Sequence, residues 1–151
     1  DEQFTLLQGE VYGLRILEAK PAEGMLSTLK LLQEKGIELF LVSHKTKTPY
    51  LGPSYNLHDA ANGWLEKNGF FEERGLNWSR NKVFLEETKD AKLKRIASLN
   101  CDAYIDDLPE ILLSLPNSIQ KFLYAPFGMI NSRNKKIIVV KRWGELIEHL
   151  A

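Results

Sequence analysis

Cysteine is almost missing from this chain. Cys101 stands alone among 151 residues, so no disulfide can form within the chain, and a reducing cytoplasm is the expected setting. Neither sign of charge is in excess: 20 basic and 20 acidic residues cancel. Without a net field there is no electrostatic case for nucleic acid or an anionic membrane as partner. No apolar stretch approaches the roughly 18 residues of a spanning helix, and no secretory leader is visible. The three histidines and one cysteine show no zinc-ligand spacing. Internal repeats, low-complexity tracts and linkers are also absent. What remains is ordinary: 44% hydrophobic and 26% charged residues, enough for one domain with a real core. The chain opens on Asp1 rather than Met, so it is expected to start inside its gene product.

Helical and strand patterns alternate along the chain. Residues 1–19 carry no clear period. Pro21 suits the first turn of a helix whose apolar face holds Met25, Leu26, Leu29 and Leu32, with Leu31 a further candidate, and Gly36 ends it. A continuous apolar strand over 37–43 follows. Pro49, Gly52 and Pro53 make 44–55 a loop. Asn56 caps a helix reaching about Asn68, closed by Gly69, and a polar stretch leads to a short strand over 82–85. Thr88 caps a helix with Leu93, Ile96, Ala97 and Leu99 as inward candidates, which feeds a strand over 103–106. A short helix after Pro109, strands over 119–124 and 137–140 around a turn-rich segment, and a helix from about Trp143 to Leu150 complete the order. Short, nearly unbroken apolar strands alternating with helices predict an α/β fold, a parallel sheet covered by helices on both faces.

The most informative residues are Asp106 and Asp107, which end the run Ala103-Tyr104-Ile105. Ligands gather at the carboxyl ends of strands in open α/β sheets, and neighbouring carboxylates suit a hard cation such as Mg²⁺. The competing structural role is a strand end whose second Asp caps the helix opened by Pro109. Ser43 ends the upstream apolar strand, where its hydroxyl and the N–H groups of His44 and Lys45 could receive a phosphate; equally, Ser43 could simply start a loop. Lys92 lies early in the helix before the Asp-Asp strand, but Lys89, Lys94 and Arg95 surround it, and composition does not choose among them. His58 and His149 suit the surface, Trp64, Phe70 and Phe71 suit packing, and Cys101 suits the core. Tyr12 and Arg15 are candidates for a substrate entrance.

Leu41-Val42-Ser43, Lys92 and Tyr104-Ile105-Asp106-Asp107, in that order, resemble the second, third and fourth motifs of the haloacid dehalogenase (HAD) superfamily of phosphohydrolases. The spacing from Lys92 to Asp106 is similar to that of members with an Ile-Asp-Asp fourth motif, which selects Lys92 over Lys89. The resemblance covers roughly 37–113. It implies a HAD-like Rossmannoid sheet and a phosphatase acting on a small phosphorylated metabolite. By that resemblance Ser43 would bind the phosphoryl group, Lys92 would steady nucleophile and phosphate, and Asp106 with Asp107 would hold Mg²⁺; His44 and Lys45, which follow Ser43, are further candidates for touching substrate. The family's first motif, Asp-x-Asp-x-Thr/Val after an apolar strand, matches none of Asp1, Asp59, Asp90, Asp102, Asp106 or Asp107. By resemblance its strand belongs between those ending at Ser43 and Asp106, so the expectation is a chain lacking its N-terminal central strand and nucleophile. The alternative is a non-catalytic domain that binds a phosphate ligand. Phosphoacceptor receiver domains use similar groups, but place the acidic pair first and the lysine last. Substrate identity and oligomeric state stay open.

Overall fold

The computed structural model describes residues 20–44, 57–128 and 136–150. The element order is α1 (Met25–Glu34), β1 (Leu41–His44), α2 (Leu57–Lys67), β2 (Val83–Glu86), α3 (Lys89–Ser98), β3 (Ala103–Asp106), α4 (Pro109–Leu113), β4 (Gln120–Tyr124), β5 (Ile137–Val140) and α5 (Glu145–Leu150). Among the described residues all strand pairings are parallel, as the apolar, non-alternating strands predict. They form two sheets, β1–β2 and β3–β4–β5, and β1 and β3 do not pair with each other. The protein is therefore mixed α/β with parallel strands in open sheets.

Two apolar layers run across both sheets. On one face Leu41 of β1 joins Ala103 and Ile105 of β3, Phe122, Val140 and Trp143 beneath α1 and α5. On the other, Val42 joins Tyr104, Leu123 and Ile137 beneath Ile96 of α3 and Ile111 and Leu112 of α4. Alternation along each strand produces this division, because successive side chains point to opposite faces. Parallel strands share a direction within each sheet, so Asp106 and Tyr124 end at one rim of the larger sheet, and His44 and Glu86 at one rim of the smaller. Helix α3 packs on β1 and β2, and α4 on β3 and β4.

Several element boundaries differ from the sequence expectation. Helix α1 starts at Met25 rather than Pro21, because Gly24 takes a left-handed φ of 77° that interrupts the helix. The first strand begins at Leu41 rather than 37, since its partner enters the ladder only at Val83, opposite Leu41. The last helix begins at Glu145; its carboxylate accepts from the Lys141 N–H at 2.7 Å, and Trp143 is a core side chain in the preceding turn. Ala97 is exposed rather than inward, and so is Leu31, at 36%. Thr88 does cap α3, accepting from Ala91 N–H at 3.0 Å. Asn56, and most of the 44–55 loop, lie outside the described residues, as do Tyr12 and Arg15.

The polar-looking stretch after α2 is anchored to the core. Phe70, Leu76 and Trp78 are buried, and the Phe70 and Trp78 rings meet edge to face at 5.2 Å. Trp78 donates its indole N–H to Gln33, whose amide donates to the Leu76 carbonyl at 3.0 Å. The turn closes through Gly69, whose carbonyl accepts from Leu76 N–H at 3.0 Å. A Cβ on Gly75 would sit 2.0 Å from that carbonyl oxygen, so backbone would have to move. Gly75→Ala is expected to destabilise by about 1–3 kcal/mol, seen as a lower urea midpoint with an unchanged slope.

Candidate functional site

Two elements on one face bring the central groups together. Lys92 sits one helical turn before Ile96, on the buried face of α3, and only 4% of it is exposed. Asp106 ends β3 and is equally buried. The Lys92 ammonium lies 2.8 Å from Asp106 Oδ2. Tyr104, two residues before Asp106 and so on the same side of the strand, donates its hydroxyl to Oδ2 at 3.1 Å. That hydroxyl also lies 3.4 Å from the Val42 carbonyl of β1. The other carboxylate oxygen, Oδ1, accepts from Leu108 N–H at 3.0 Å, which turns the chain into α4. Three donors thus hold one carboxylate, the condition under which a buried charge is tolerated.

Asp107 is half-buried beside this pair. Its carboxyl is pushed up to about 6, first by burial and then by the adjoining Asp106 carboxylate. Two neighbouring carboxylates resist ionising together. A second, exposed ion pair, Lys89–Glu110 at 3.4 Å, joins the first turns of α3 and α4.

The tip of β1 has the opposite problem: polar atoms without partners. Ser43 is completely buried and its Oγ has no hydrogen-bond partner. His44 has a buried, unpartnered Nδ1. Its pKa lies below the usual 6.5, first because of burial and then because of the Lys92 charge, with Asp106 and Glu110 pulling the other way. An unsatisfied buried group costs about 1–3 kcal/mol, so two in succession mark a place built for something other than stability. Ser43 faces the α1/α5 side with Leu41, whereas His44 shares the α3 side with Val42.

Of the residues singled out from sequence, Lys92, Asp106, Asp107 and His44 lie within one electrostatic neighbourhood. Ser43 is at the same strand tip as His44. Lys45 lies outside the described residues. Cys101 is buried and its thiol is pushed up to about 11 by that burial, which suits core packing rather than reaction. Tyr104 was missed as a site residue. The signal was available, since an i, i+2 pair on a strand shares a face. Lys89 and Glu110 have no comparable signal, because their meeting depends on how two helices are placed.

Among the described residues no group of three or more His, Cys, Asp or Glu side chains could hold a metal ion. Two carboxylates are present, and Asp106 already serves three protein donors. Both Asp106 oxygens are thus taken up by protein donors, and Asp107 is the other carboxylate at this strand tip. No protein-family model matches the chain, and no curated protein matches it either.

Replacing Lys92 by Met leaves Asp106 buried without its cation and is expected to cost about 3–5 kcal/mol; adding Asp106→Leu should return much of that loss in the urea midpoint. For Asp107 the folded pKa lies above the ordinary 3.8. Its stabilising contribution is therefore complete below about pH 4 and lost as pH rises through about 6. Asp107→Asn should raise the melting temperature above pH 6 in EDTA and leave it unchanged near pH 4.

Proposed function

We propose that this site binds and hydrolyses a phosphate ester of a small metabolite with the help of Mg²⁺, as the HAD resemblance implies. The observation that carries the proposal is the buried Lys92–Asp106 pair at the tip of β3, together with the unpartnered hydroxyl of Ser43 at the tip of β1. Phosphoryl transfer asks for positioning and charge neutralisation more than for covalent chemistry from many groups. Lys92 supplies a fixed positive charge whose direction is held by Asp106. Ser43 supplies a hydroxyl able to donate to a phosphoryl oxygen. Asp107 with Asp106 would hold Mg²⁺, which when bound offsets charge on the phosphoryl oxygens.

The nucleophile is the remaining part. Asp106 is the only aspartate on a described strand, and it is committed to Lys92, Tyr104 and Leu108. β1 and β3 do not pair with each other, and in this proposal a strand bearing the attacking aspartate stands between them and completes the HAD-like Rossmannoid sheet. The same facts support a second reading: a domain of this fold that binds a phosphate ligand without turning it over. Both readings share the anion site and the cytoplasmic setting, and neither requires nucleic acid or a membrane. Among the described residues no helix is long and apolar enough to cross one.

The test is hydrolysis of a panel of phosphorylated metabolites by the full-length protein with and without Mg²⁺, alongside calorimetric binding of inorganic phosphate. Turnover that needs Mg²⁺ and falls at least about a hundredfold in Asp106→Asn is expected for the enzyme. Phosphate binding without turnover points to the binding domain. Metal-dependent turnover that survives both Asp106→Asn and Asp107→Asn, or no phosphate binding at all, overturns the assignment.

A further inference from the structure

The phosphate reading above uses the unpartnered Ser43 hydroxyl at the tip of β1, but leaves the neighbouring His44 without a role. Its Nδ1 is buried and has no partner, although buried polar atoms almost always find one. The residue stands on the α3 side of β1, the side that carries Tyr104 and Val42. The charges that act on it come from every element around it: Lys92 and Lys89 of α3, Asp106 of β3 and Glu110 of α4. Glu86, its register partner on β2, is tied to Arg95 at 2.9 Å. Each of these carboxylates already faces a cation: Asp106 faces Lys92, Glu110 faces Lys89 and Glu86 faces Arg95. None of them therefore calls for a bond from His44. Of the charges acting on it, Lys92 is the largest.

We propose that His44 is a second oxyanion contact of the phosphate site, a neutral imidazole that donates its Nδ1–H to an oxygen of the bound phosphate ester. The inference rests on the phosphate reading of the site given above and extends it by a residue and a donor atom. With Nδ1 as donor, Nε2 carries the lone pair. A neutral donor adds a charge-assisted hydrogen bond to a dianion without bringing a further cation beside Lys92. It also explains why two polar residues follow each other at a buried strand end: Ser43 and His44 leave on opposite faces of β1, and a tetrahedral anion seated over the tip has oxygens to offer both sides.

The experiment is calorimetric titration of inorganic phosphate into the wild-type chain, Ser43→Ala, His44→Ala, His44→Asn and His44→Gln at one pH, with melting curves as a folding check. Asn places an amide nitrogen near the Nδ1 position and Gln places one near Nε2. His44→Ala is expected to weaken phosphate binding about tenfold or more, with His44→Asn recovering most of the loss and His44→Gln little of it. In parallel, ¹⁵N-detected imidazole spectra of the wild-type protein should show the Nδ1–H tautomer of His44 when phosphate saturates the site, a readout that needs no variant to fold. If Ser43→Ala weakens phosphate and His44→Ala does not, or if phosphate leaves the His44 tautomer at Nε2–H, the His44 contact is wrong and the phosphate site stands. If the wild-type chain does not bind phosphate, both fall together.

Discussion

The ion pair between Lys92 and Asp106 is the constraint on which the arrangement turns. The two sheets share no backbone ladder across β1 and β3. Helix α3 rests on β1 and β2, while Asp106 belongs to the other sheet. A 2.8 Å contact between them therefore ties the halves together through side chains. Tyr104 repeats the tie, reaching from β3 toward both the Asp106 carboxylate and the Val42 carbonyl. The apolar layers that run over both sheets supply most of the cohesion, but they are not directional. The polar contacts are, and they set how β1 and β3 face each other. A buried ion pair gives little net stability over an apolar substitute, so what it adds here is direction rather than cohesion.

Around that pair the charges are graded from inside to outside. The inner lysine and carboxylate are both nearly sealed from water, whereas Lys89 and Glu110, one turn outward, remain exposed. Asp107 lies between these environments, partly desolvated and next to the Asp106 carboxylate that three protein donors hold. His44 completes the ring with a ring nitrogen kept from solvent. In the proposed function these groups, a cation, a hydroxyl and an imidazole, are held in place before a ligand arrives, which is the preorganisation that makes electrostatic stabilisation effective.

How much of this was legible beforehand depends on the range of the interactions involved. Strand tips at Ser43 and Asp106, the Thr88 cap and the parallel, doubly covered character of the sheet follow from local pattern, because strand alternation, helix period and capping act over a few residues. The boundaries at Met25 and Leu41 did not, since one depends on the dihedral of Gly24 and the other on where a partner strand begins. The stretch from Glu72 to Trp78 read as polar because three consecutive charged residues, Glu72 to Arg74, separate Phe70 from the buried Leu76 and Trp78 and break any apolar period.

By itself the sequence determined the alternation of helix and strand, the absence of any disulfide within the chain, and the delivery of Ser43 and Asp106 to strand ends. Those are matters of composition and short period. Composition offered four cationic side chains on α3 as equals and only a family-like spacing favoured Lys92, whereas the tertiary structure gives each its surroundings: Lys92 is buried against Asp106, Lys89 and Arg95 bind exposed or half-exposed glutamates, and Lys94 is left at the surface. The physical reason is that a lysine's role is set by its dielectric surroundings and its partner. Both are supplied here by a strand that is distant in space until the chain folds.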